Sequence, residues 1–269
     1  MISSLKSLIL GSVLTMVLVS PAMAAKTPHQ VLGLSRWKLT IPYDGSDSDK
    51  LADEIYQSAT RTKEKHKLDY SLSTYSNSKW FWTLSGDIWV AFRCEAKAPK
   101  TSGTKNARCE LREMDTSSKE VYWSMKTTTI YGMEGRCRVT ALPSSNKTCF
   151  AQIHAKSKTY DDIIRLQVRK SGSNYVLHVQ GSCVSDNDDD VSTIASTAEI
   201  RYKIEAGRNK VKLFLNGSTT PTRTYNNSKT NSPENYFKAG NYLQSKPKSG
   251  AGQVEYRSLV LSSRTDSNF

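Results

Sequence analysis

Ile164-Arg165-Leu166-Gln167-Val168, followed a few residues later by Tyr175-Val176-Leu177-His178-Val179, alternates apolar and polar side chains with a period of two. That period belongs to a β-strand with one face buried and the other wet. Working outward, similar runs recur along the chain. Trp89-Val90-Ala91-Phe92 is one, Lys210-Val211-Lys212-Leu213-Phe214-Leu215 ahead of an Asn216-Gly217 hairpin signal is another, and Val254 to Leu261 reads as a closing strand. Lys50 to Ala59 is the one weak helical candidate, read as a short surface turn. Many short strands between turns predict an all-β fold, a sandwich or a barrel. No Pro/Gly/Ser-rich linker and no internal repeat divides the chain, so residues 25–269 are read as a single domain.

Residues 1–24 read differently. Lys6 gives a positive start, Leu8 to Val19 is mostly apolar, and Ala22-Met23-Ala24 is a small-residue cleavage site. This is the pattern of a secretory signal peptide, so a secreted, extracellular chain beginning at Ala25 is expected. The apolar run is too short to span a membrane, and no later run is longer. Removing the leader takes away one lysine and no acid, so the net charge falls from +13 to +12. A basic secreted protein calls for a polyanionic partner, either nucleic acid, an anionic membrane surface or an acidic polysaccharide. Charge alone does not choose, but no nucleic-acid-binding motif is present.

Five cysteines occur, and none forms a Cys-x-x-Cys pair, which disfavours zinc and redox chemistry. Export permits disulfides. Cys94 with Cys109 and Cys137 with Cys149 are the candidate pairs, each flanking a turn-like loop, with Cys183 the odd thiol. Asp186 to Asp190 reads as a solvated acidic loop tip, since it lacks the glycine and distal glutamate of a calcium loop. Trp80, Phe81, Trp82 and Trp89 are assigned to the core, with a sugar-stacking platform as the alternative use for one of them.

Three polar segments carry the chemistry: Arg108-Cys109-Glu110-Leu111-Arg112, Gln152-Ile153-His154, and Tyr236-Phe237-Lys238-Ala239-Gly240-Asn241-Tyr242-Leu243-Gln244. On strands, Arg108, Glu110 and Arg112 share a face, as do Gln152 and His154. Tyr236, Lys238, Tyr242 and Gln244 do so too, provided their strand is unbroken. Each segment alone has a plain explanation, as an ion-pair ladder, a structural histidine or an edge strand.

Together, in this order, they resemble the three signature motifs of polysaccharide lyase family 7, the alginate lyases: Arg-x-Glu-Leu-Arg, Gln-Ile/Val-His and Tyr-Phe-Lys-Ala-Gly-x-Tyr-x-Gln. Trp37-Lys38-Leu39-Thr40-Ile41-Pro42 is also similar to the family's first strand, so the resemblance spans Trp37 to Leu261. Cys109, Asn241 and Leu243 depart from the family's usual residues, and the period of two turns all three away from the polar face.

The resemblance implies a β-jelly roll of two antiparallel sheets with a concave substrate groove. It also implies a monomer that cleaves alginate by β-elimination with no metal or cofactor. In that chemistry a C5 proton leaves, charge builds on the adjacent carboxylate, and the O4 leaving group is protonated. By resemblance, Arg108 and Gln152 neutralise the carboxylate, with His154 nearby and Tyr242 as the proton-transfer residue. Arg112, Lys238, Gln244 and Tyr236 are assigned to substrate, and Glu110 to an ion pair that orients the arginines. Cationic neighbours are expected to favour the Tyr242 phenolate. The Gln-Ile-His form leans toward guluronate-containing blocks. Three alternatives stay open, a non-catalytic jelly-roll module binding acidic polysaccharide, a lyase for another polyuronate such as glucuronan, and a glycoside hydrolase. Glu110 and Glu113 sit three apart and hence on opposite strand faces, which argues against a paired-carboxylate hydrolase.

Overall fold

The computed structural model describes residues 25–45, 49–57, 66–86, 88–157, 162–185, 188–227 and 234–269. The expected leader, residues 1–24, lies outside them, as do Asp186 and Asn187 of the acidic loop.

Among the described residues, two sheets pack face to face. One has nine strands in the order β11 (Asp189–Ile194), β10 (Asn174–Gln180), β9 (Asp162–Ser171), β8 (Lys147–Ala155), β15 (Asn235–Leu243), β6 (Arg108–Glu113), β1 (Trp37–Thr40), β2 (Glu54–Tyr56) and β3 (Lys67–Ser71). The other has seven, in the order β14 (Arg223–Asn226), β13 (Lys210–Leu215), β12 (Ile200–Gly207), β7 (Thr129–Ala141), β16 (Ala251–Thr265), β5 (Val90–Glu95) and β4 (Phe81–Thr83). The pairings are antiparallel except β2 with β3, which is parallel. This is a jelly-roll sandwich, with β1 and β6, far apart in sequence, made neighbours by the crossing connections.

The core follows from the period of two. Leu39, Leu111, Ile153, Leu166, Val168, Phe237 and Ala239 point inward from the nine-stranded sheet. Phe92, Val139, Ile204, Leu213, Val254 and Tyr256 meet them from the other. Burying each large apolar side chain contributes roughly 1.5–3 kcal/mol. The buried phenols are partnered: Tyr202 and Tyr256 lie 3.1 Å apart, and Tyr256 donates to the Phe150 carbonyl. Phe150 itself sits at a bulge, where the β8–β9 register shifts between Cys149 and Ala151. The extra residue lets Phe150 join the core while Gln152 and His154 keep the opposite face.

Several expectations are corrected. Lys50 to Gln57 is not helical: Leu51 bridges Lys100 and the segment enters β2. Among the described residues the one α-helix, α1 (Pro28–Leu32), lies earlier, where Thr27 and Gln30 form a reciprocal capping box, Pro28 opens the first turn and Gly33 closes it at φ 64°. Asn216 and Gly217 do take positive φ, but they start a longer connection into β14 rather than a two-residue turn. Asp189 and Asp190 are strand residues with partners, not a solvated tip. Asp189 accepts from Arg223 and Tyr225, and Asp190 pairs with Arg169 and His178.

The disulfide expectation is also overturned, because all five cysteines are free and buried. Cys137 and Cys149 do not flank a hairpin, since β7 and β8 belong to different sheets. Cys94 and Cys109 are likewise split between sheets, and Cys109 points to the Trp80 carbonyl at 3.2 Å. Burial pushes the thiols far up from their ordinary range, so they serve as small core residues. Of the four aromatics assigned to the core, Phe81 and Trp89 are buried, whereas Trp80 and Trp82 are only partly so.

Candidate active site

β15 runs between β6 and β8, and this placement unites the three polar segments. The register sets the rows. Across β6 and β15, Lys238 stands opposite Arg112, Gly240 opposite Glu110 and Tyr242 opposite Arg108. Across β8, Lys238 stands opposite Gln152 and Tyr236 opposite His154. The strand is continuous against β6, so Tyr236, Lys238 and Tyr242 share one face as the alternation requires. Against β8 it shifts register between Ala239 and Tyr242. Gly240 sits there at φ 138°, and a Cβ on it would come within 2.6 Å of the Cys109 carbonyl.

The face points away from the core, yet its polar groups are buried: Arg108, Glu110, Gln152 and Lys238 are 6%, 2%, 0% and 7% exposed. The site is therefore recessed. Glu110 is its hub, accepting from Arg108 Nη1 at 3.0 Å, from Lys238 Nζ at 2.6 Å and from Gln152 Nε2. Burial would raise the Glu110 carboxyl, but Lys238 and Arg108 outweigh it and hold the group below its usual range. Lys238 moves the other way, down to about 8, because burial and the Arg108 charge exceed what a shared carboxylate returns. One anion faces two cations, so the ammonium is the partner left short of compensation. Among the described residues, the Arg108 Nε and Gln152 Oε1 atoms are buried with no hydrogen-bond partner.

The Arg108 guanidinium lies over the Tyr242 ring, 3.9 Å from its centroid. It pulls the phenol toward ionisation, as expected from its charge. Burial acts more strongly in the opposite direction, and the net position of Tyr242 is above the ordinary phenol value. The expected phenolate is thus corrected to a protonated phenol in the free protein. His154 Nδ1 lies 3.0 Å from the Ala155 carbonyl, and in the tautomer that donates to it Nε2 is the basic nitrogen. Tyr236 stacks on this ring, with its hydroxyl 3.1 Å from Nδ1.

The other assigned residues divide. Arg112 spends its donors on the Glu113 and Val121 carbonyls and on Glu120, while stacking over Tyr236 and Tyr122. Gln244 is used up by the fold, donating to the Tyr242 and Leu243 carbonyls and accepting from Arg165. Glu113 is turned to the Trp123 indole and the Phe237 amide, and burial raises its carboxyl. It forms no pair with Glu110 that could perform hydrolysis.

Sequence reasoning missed three neighbours. Arg165 stands opposite Gln152 on β9. Lys38 binds Glu54 at 2.8 Å and Glu120 at 3.1 Å. Tyr122 packs edge-on against Tyr236. Alternation in Ile164-Arg165-Leu166 and Trp37-Lys38-Leu39 held the signal for the first two, but not which strands they would join. Among the described residues, His178, Asp188 and Asp190 place possible metal-ligand atoms within 4.8 Å of one another. Arg169 already pairs with Asp190, and His178 Nδ1 lies 2.8 Å from Asp190 and 3.2 Å from Asp188.

A jelly roll that keeps two cations and two proton carriers on one recessed sheet face has the form of a polysaccharide lyase. Comparison with known proteins specifies which. The sequence profile of the alginate lyase family matches residues 32–263. An alginate lyase of Klebsiella pneumoniae is 28% identical over 299 residues, covering 90% of this chain and 92% of that protein. Among solved structures, the alginate lyase AlgAT5 of polysaccharide lyase family 7 shares 27% identity at a TM-score of 0.70, covering 89% of this chain and 100% of its own. The marine alginate lyase AlyA1 of Zobellia galactanivorans, of the same family, shares 26% at a TM-score of 0.69 over the same fractions. This chain belongs to the alginate lyases of polysaccharide lyase family 7.

Proposed function

We propose that this alginate lyase is exported and cleaves its polymer by β-elimination, with Tyr242 and His154 moving the protons. The observation that carries the reading is the Glu110 hub. It fixes Arg108 over the Tyr242 ring and Lys238 on the same carboxylate, so that cations face the place where the carboxylate of a bound uronate would gather charge in the transition state. Gln152 keeps a second N–H beyond the one given to Glu110 and can donate to the same carboxylate.

For guluronate, the C5 proton and O4 leave from opposite faces. His154 Nε2 takes the C5 proton, the C5–H electron pair becomes the C4=C5 double bond, and the C4–O4 bond breaks as the Tyr242 phenol protonates O4. A phenol held protonated by burial is ready for that acid role. For mannuronate both groups leave from one face, and Tyr242 would first have to lose its proton. The geometry therefore favours guluronate-containing blocks. Lys238 and Arg165 hold carboxylates along the chain, while Gln244, Arg112 and Tyr236 position their neighbours. The protein acts as a monomer on a polysaccharide, with no nucleic-acid or membrane partner.

Incubation with poly-guluronate, poly-mannuronate and glucuronan, following ultraviolet absorbance of the unsaturated product, tests this. Absorbance should rise with alginate and faster with poly-guluronate, and His154→Ala should lose more rate on poly-guluronate than on poly-mannuronate. New reducing ends without absorbance would mean hydrolysis.

A further inference from the structure

The outer face of the seven-stranded sheet divides into two parts. Over most of it the arginines are matched to acids: Arg138 with Glu255 at 2.6 Å, Arg136 and Arg257 with Glu199, Arg201 with Glu134, and Arg264 with Glu205. Trp89, on the same face, is covered by the Arg138 guanidinium at 4.3 Å. The β4–β5 end differs. A cleft of about 640 Å³ opens there, with Trp80 and Trp82 among its walls and Arg93 and Lys79 at its sides. Neither the Arg93 guanidinium nor the Lys79 ammonium has an ion-pair partner among the described residues. Trp82 has no ring or cation stacked on it among those residues. Trp80 is braced from behind, stacked on Tyr43 at 5.2 Å with its indole N–H given to Tyr75.

The cleft continues in both directions. Lys79 and Trp80 also line a neighbouring hollow edged by Tyr70, and Ala98 leads into another lined by Lys97 and Lys100. Glu95 is the acid within the cleft and the cations outnumber it. Trp82 and Arg93 lie on the opposite side of the sandwich from Tyr242, since Phe81 and Phe92 beside them turn into the core.

We propose that this cleft is a second, non-catalytic binding site for the acidic polysaccharide, an inference that rests on the alginate lyase reading. A pyranose ring presents an apolar C–H face, and a partly exposed indole with no ring or cation stacked on it among the described residues is a surface for it. A uronate adds one carboxylate per ring, and Arg93 and Lys79 offer uncommitted donors beside the indole. A site holding the polymer away from the catalytic groove raises the local concentration of chain at that groove.

The test is titration calorimetry of the turnover-deficient Tyr242→Phe variant with an alginate tetrasaccharide, repeated after adding Trp82→Ala and, separately, Arg93→Ala. Two binding events should fall to one in either double variant, with thermal unfolding unchanged. In the active protein, the same two substitutions should leave tetrasaccharide turnover intact and raise KM on long alginate several-fold. A single binding event in Tyr242→Phe, untouched by both replacements, overturns the proposal, as does equal binding of a neutral glucan at the cleft. Wild-type turnover separates the two failures. Absence of any unsaturated product counts against the catalytic reading, whereas normal turnover with one binding event counts against the second site alone.

Discussion

In the free protein Tyr242 is held as a phenol because burial outweighs the Arg108 charge above its ring. Its hydroxyl is then the one group that Tyr242→Phe removes. That variant should fold as the parent does and lose about 10²–10⁴-fold in turnover, the usual cost of one positioned acid–base group. Circular dichroism checks the fold and product absorbance checks the rate. A folded variant that cleaves alginate near the parent rate would sink the assignment. Lys238 makes a second residue-level prediction. Its ammonium loses its proton near pH 8 in the free protein, well below an ordinary lysine. Below that pH it attracts substrate carboxylates, and above it the attraction is gone. KM should therefore climb as pH passes about 8 while the fold persists. Lys238→Arg, whose guanidinium stays charged, should abolish that limb of the profile.

At the scale of an element, β15 decides the site. It supplies Tyr236, Lys238 and Tyr242, and it holds Tyr242 level with Arg108 across β6. Gly240 makes this possible at φ 138°, where a side chain would strain the backbone and press on Cys109 and Glu110. Gly240→Ala should destabilise the fold by about 1–3 kcal/mol. It should also lower turnover by moving Tyr242 relative to Arg108. Urea unfolding reads the first effect and kcat the second; unchanged values in both would show that the kink has no part in placing Tyr242. Sequence alternation anticipated the shared face of this strand, but not the register shift that accompanies the glycine.

At the scale of the molecule, net charge and fold act together. The full sequence carries +13, and residues 25–269 alone carry +12. Exposed charges are screened over roughly 10 Å at 0.1 M salt. The apparent KM on polymeric alginate should rise between low and moderate ionic strength, while kcat, set inside the buried Glu110 hub, should change little. A salt-independent KM would contradict electrostatic capture.

The sequence alone determined the strand content, because a period of two records which side chains meet water and which meet the core. It also singled out the candidate site residues, because Arg108, Gln152, His154, Lys238 and Tyr242 fall in motifs that resemble those of one family. Contacts between distant segments belonged to the tertiary structure. Only folding set β15 between β6 and β8, joined Arg165 and Lys38 to the polar face, and made Glu110 the shared partner of two cations. It separated the candidate cysteine pairs into different sheets, and it buried Tyr242 deeply enough to keep its proton despite Arg108. The reason is physical: alternation is local and is written residue by residue, whereas strand order, burial and the electrostatic balance they create depend on segments a hundred residues apart being brought within a few ångströms.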